Sequence, residues 1–64
     1  MTRQHFITIA ATFKVNVACA RHLAEQERNA ALDALSQTAT DLAAEFARIN
    51  PRFDRSRFLL ACGF

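Results

Sequence analysis

Between Thr2 and Asn50 the 64-residue chain has neither glycine nor proline; its only proline is Pro51 and its only glycine Gly63. A small β-domain turns on such residues, so hairpins have no punctuation here. Trp and Tyr are absent and Ala occurs 13 times, a balance that favours helix over strand. There are two cysteines, too few for a disulfide framework. The longest apolar run is the five residues Phe58 to Cys62, far short of the roughly 20 that span a bilayer. The start lacks the apolar stretch of a secretory signal, so the expected compartment is a reducing cytoplasm. A chain this short is one domain, residues 1–64, and cannot hold a parallel α/β enzyme fold.

What is present is helical patterning. Thr2 suits an N-cap, with Met1 and Phe6 at the positions of a hydrophobic staple. Phe6, Ile9, Ala10, Phe13 and Val17 follow at spacings of three or four. The first helix is expected over Arg3 to Lys14, with Ala20 as the far limit. Val15-Asn16-Val17 is poor helix sequence, so the turn is expected between Lys14 and His22.

The second helix carries Leu32, Leu35, Ala39, Leu42, Phe46 and Ile49 in alternating steps of three and four, a coiled-coil-like seam. It ends at Asn50, ahead of Pro51. Unbroken from Leu23 to Ile49 it would be about 40 Å long, more than a small globule needs. Either residues 36–40 bend it, or its extra length packs on a second copy as a homodimer. A third, short helix opens at Asp54 with Phe53 and Phe58 as its staple pair, buries Phe58, Leu59, Ala61 and Cys62, and stops at Gly63. The expected fold is an all-α, small three-helix domain with a long central helix and a short C-terminal helix.

The formal net charge of +2 is too mild to imply a polyanion partner by itself. Local clustering says more. Arg48, Arg52, Arg55 and Arg57 fall within ten residues that contain one acid, Asp54. Arg55 and Arg57 would stand in a first helical turn, where the macrodipole disfavours cations. With backbone N–H groups they would make an anion pocket for phosphate or carboxylate. The structural alternative has Arg55 or Arg57 bridging to Glu45 or Asp41 and fixing the corner. Arg48, Arg52, Arg55 and Arg57 are therefore the candidate partner-binding residues.

Other chemistry is thin. His5, Cys19, His22 and Cys62 are zinc-ligand types, but their spacing matches no zinc finger, so neither metal nor cofactor is expected. Ser36 falls mid-helix and Ser56 in a short helix, neither in a nucleophile elbow, and Cys19 with His22 lacks an orienting third group. No enzyme activity is expected. Phe6, Phe13, Phe46 and Phe58 read as core, while the terminal Phe64 is free to anchor a partner.

The stretch Asn50-Pro51-Arg52-Phe53-Asp54-Arg55-Ser56-Arg57-Phe58-Leu59-Leu60-Ala61-Cys62-Gly63 resembles the ending of short proteins encoded by bacteriophages, plasmids and other mobile elements. These end Asn-Pro-Arg-Phe-Asp-Arg-x-Arg-Phe-x-x-Ala-Cys-Gly. Thr2-Arg3-Gln4-His5-Phe6 with Ile9-Ala10 is similar to their opening. The likeness covers about 20 residues at the two ends, and no assigned activity or functional residue comes with it. It implies a cytoplasmic, non-enzymatic protein that binds and occludes a host protein or ribonucleoprotein. The sharpest form is an inhibitor of a bacterial defence system such as an anti-CRISPR protein. The alternative is a nucleic-acid-binding accessory protein that sets the same arginines on phosphates.

Overall fold

The computed structural model describes residues 2–64. Helix α1 runs Arg3–Ala20, α2 Glu25–Ile49 and α3 Arg55–Ala61, and each packs against the other two. This is the expected all-α architecture, with a long central and a short C-terminal helix.

Helix α1 begins at Thr2, whose extended backbone makes it the N-cap. The Thr2 backbone N–H donates to His5 Nδ1 at 3.1 Å, so His5 fills the place that Glu or Gln takes in a capping box. The expected Met1 half of the staple lies outside the described residues. The helix continues past Lys14 to Ala20, the outer of the two expected limits. Local propensity loses because Val17 and Ala20 are buried, and Asn16 donates its side chain to Thr12 O at 2.9 Å. The turn follows at Arg21 to Ala24, closed by His22 N–H to Cys19 O and Leu23 N–H to Ala20 O. No residue in it has a positive φ, which is how it forms without glycine.

Helix α2 is continuous through residues 36–40. Its 25 residues span about 38 Å at 1.5 Å each, matching the molecule's longest dimension of 38 Å. Glu25 and Glu27 in its first turn and Arg48 in its last complement the helix dipole. The buried line is Ala39, Ala43 and Phe46, with Leu35 and Leu42 half-buried beside it. Ile49, expected in the seam, is 67% exposed. Phe46 packs on Phe6, only three residues from the start of α1, so one turn further along α2 there is no α1 left to cover Ile49.

The corner into α3 is a β-turn. Phe53 N–H donates to Asn50 O at 2.9 Å and Arg52 N–H to Asn50 Oδ1 at 3.2 Å. Pro51 takes the second turn position, and the absence of any positive φ makes the turn type I. Asp54 caps α3, its Oδ1 accepting from Arg57 N–H at 3.0 Å. At the far end Phe64 N–H reaches Leu59 O and Gly63 N–H reaches Leu60 O, a Schellman closure that needs Gly63 at φ +103°. Ala61, placed on the buried face by its spacing, is exposed, whereas Phe58 and Cys62 are buried.

The core is small residues around rings. Ala10, Ala39, Ala43 and Cys62 let the helices approach closely. Phe6, Phe46, Phe53 and Phe58 then close one end, with ring centroids 4.8 to 5.6 Å apart in tilted or edge-on geometry. Such pairs add about 0.5–1.5 kcal/mol each beyond their buried area. Phe64, expected to be free, packs half-buried against this core, because the Schellman closure folds the last residue back. No helix among the described residues is long and apolar enough to cross a membrane.

Candidate functional site

The phenylalanine cluster has an outer side. There, an open pocket of about 490 Å³ lies between the first turns of α1, the Asn50–Asp54 corner and α3. Its floor is Phe6, Phe53, Phe58 and Ala10, and Ile7, half-exposed, forms an apolar wall. Arg3, Arg52 and Arg57 stand around it with Asp54 as the single acid. Each element delivers its part for a local reason. The type I turn exposes Arg52, the Asp54 cap fixes the first turn of α3 from which Arg57 projects, and Arg3 is the first residue of α1.

Two of the four candidate arginines therefore belong to the pocket and two do not. Arg48 is held on α2 by Glu45, its Nη2 2.8 Å and its Nε 3.1 Å from Glu45 Oε2. Arg55 is exposed but does not line the pocket. The expected bridge from Arg55 or Arg57 to Glu45 or Asp41 is not made; Arg48–Glu45 is the one ion pair among the described residues. Glu45 sits one turn before Arg48 on the same helix, so the local partner takes it. Of the backbone N–H groups expected to face an anion at this helix start, that of Arg57 is occupied by Asp54 Oδ1.

Spacing did not indicate Arg3, which lies 49 positions before Arg52. A signal was available. As the first residue of α1, with no acid in that turn, Arg3 is a cation at the positive end of a helix dipole, the same local violation that singled out Arg55 and Arg57. Three arginines against Asp54 leave the pocket a local +2, equal to the formal net charge of the whole chain.

The remaining reactive groups stand elsewhere. Among the described residues no three His, Cys, Asp or Glu side chains gather as metal ligands. Cys19 is exposed, and burial pushes the Cys62 thiol above its ordinary value. Chemically, the pocket can hold an anion against guanidinium groups while burying an apolar group on phenylalanine. Comparison with protein-family models, curated proteins and solved structures returned no match.

Proposed function

We propose that this chain is a non-enzymatic accessory protein of the phage or plasmid type, which binds and occludes a host macromolecule. Its sharpest form is an inhibitor of a bacterial defence system such as an anti-CRISPR protein. One observation carries the binding half of this reading: Arg3, Arg52 and Arg57, none ion-paired among the described residues, converge on one open apolar pocket. Guanidinium groups left without carboxylates beside exposed apolar surface suit recognition of a second molecule. The choice of a host target draws on the resemblance of both chain ends to mobile-element proteins.

The test is phage plating on bacteria whose CRISPR or restriction system is active, with and without expression of this chain. Wild type should raise plating efficiency by orders of magnitude, and Arg52→Ala/Arg57→Ala should lose that gain while staying folded. Unchanged plating across such systems would overturn the defence-inhibitor reading. The same arginines support a second reading, contact with nucleic-acid phosphates. That reading predicts DNA or RNA affinity that falls steeply with salt, with a slope lowered by about one per arginine removed.

A further inference from the structure

Resting on that reading of the face as a binding surface, we infer that its occupant is an acidic segment of a partner protein, which seats one apolar side chain on the phenylalanine floor between flanking carboxylates. Charge complementarity is the first argument. The pocket carries three arginines and one aspartate, and that aspartate's Oδ1 is already engaged by the Arg57 backbone. The three guanidinium groups are left to carboxylates brought by the partner, and a planar guanidinium receives a carboxylate in two parallel hydrogen bonds.

The floor is the second argument, because it separates this occupant from a nucleic acid. A strand would need a basic track along the surface and ring faces on which bases stack. Neither is present. Arg3, Arg52 and Arg57 converge on one pocket. The other cations without an ion pair among the described residues, Lys14, Arg21, Arg28 and Arg55, lie outside it, and the chain's net charge is only +2. Phe53, with Phe6 one of the two half-buried rings of the floor, already packs against Phe6, Phe46 and Phe58, at centroid separations of 4.8, 5.4 and 5.5 Å. Its ring is committed to its neighbours and closes the bottom of a cup. With Ile7 half-exposed as the wall, that cup accepts an aliphatic or aromatic side chain from above. An apolar anchor ringed by charge-paired contacts that exclude water is the usual anatomy of an interface hot spot.

The experiment uses the full ¹⁵N-labelled chain and follows amide and arginine side-chain resonances. The probes are an end-capped peptide with two glutamates on each side of one phenylalanine, the same peptide with glutamines for glutamates, the same peptide with alanine for phenylalanine, a ten-residue oligothymidylate, and inorganic phosphate. The acidic phenylalanine peptide should move Ile7, Phe53, Arg57 and Phe58 and bind about tenfold more tightly than either control peptide, the loss expected for one charge-assisted contact or one buried side chain. Arg52→Ala/Arg57→Ala should abolish these shifts with the rest of the spectrum preserved. Equal binding by the glutamine or the alanine peptide overturns the inference. Tighter binding of oligothymidylate or phosphate at the same resonances also overturns it, yet leaves the face a binding surface. If no probe moves the pocket and the double variant keeps its effect on plating, the binding role of the face fails as well.

Discussion

The rings of Phe53 and Phe58 lie 5.5 Å apart on opposite sides of Asp54, one before and one after the cap of α3. This hydrophobic staple fixes the angle at which the chain enters its last helix, and both rings also form the pocket floor. Phe53→Ala should cost about 1–3 kcal/mol, below the full value for a buried Phe because the ring is only half-buried. Urea denaturation checks this; a change under about 0.5 kcal/mol would mean that the ring contributes little to the corner.

Asp54 acts both as cap and as charge, and two substitutions separate the roles. Asp54→Ala should destabilise by about 1 kcal/mol through the lost bond to Arg57 N–H. Asp54→Asn should keep stability within about 0.5 kcal/mol, since Asn caps equally well. It also removes the pocket's one negative charge, so anion affinity should rise. Equal stability losses in the two variants would show that charge, and not the cap, is what Asp54 supplies to the fold.

Gly63 adopts φ +103°, a conformation that disfavours any side chain. A Cβ there would meet Val17 Cγ1 at 3.5 Å, an ordinary contact, so the cost of Gly63→Ala is backbone strain without a clash. The expected loss is about 1–2 kcal/mol, read as a lower Tm. An unchanged Tm would mean that the Schellman closure is dispensable.

Cys62 is fully buried, and burial favours its neutral thiol, so its folded pKa is raised from 9.0. Stability from this group is complete below pH 9.0 and is lost as pH rises through the higher folded value, because the unfolded chain releases the proton first. The urea midpoint should therefore fall as pH rises above about 9, and Cys62→Ala should flatten that fall. Under native conditions a thiol reagent should modify the exposed Cys19 and spare Cys62 until the chain unfolds. Equal modification rates at the two positions would contradict the burial.

Arg3 and Arg57 stand in the first turns of α1 and α3, against the helix dipoles, and have no ion-pair partner among the described residues. Replacing either with Ala should leave stability unchanged or raise it by about 0.3–1 kcal/mol, most clearly at low salt. Thermal melts at two salt concentrations check this. A loss above 1 kcal/mol would assign these arginines to the fold and take away the reason to look for a partner.

The fold was largely legible because Thr2, Pro51, Asp54 and Gly63 punctuate it in the expected places. What escaped depends on neighbours distant in sequence. Val15-Asn16-Val17 reads as a helix end until Val17 has something to pack on. Ile49 fits the heptad as well as Phe46 does, and only the finite length of α1 exposes it. Ala43 is small enough to be overlooked beside Leu42, yet its size is what lets the helices close together. At the site, Arg52 and Arg57 were visible as a linear cluster. Arg3 joins them only because the antiparallel run of α2 brings the start of α1 to the corner, whereas the ion pair with Glu45 removes Arg48.

The inner phenylalanines serve as core and as pocket floor at once, so the site has no existence apart from the folded chain. Filling it is thermodynamically linked to folding. A ligand at a hundred times its dissociation constant adds about 2.7 kcal/mol to the folded state, a large share of the few kcal/mol that hold so small a domain together. A thermal shift therefore reports occupancy directly, and in a cell any bound partner would also protect the chain from proteolysis.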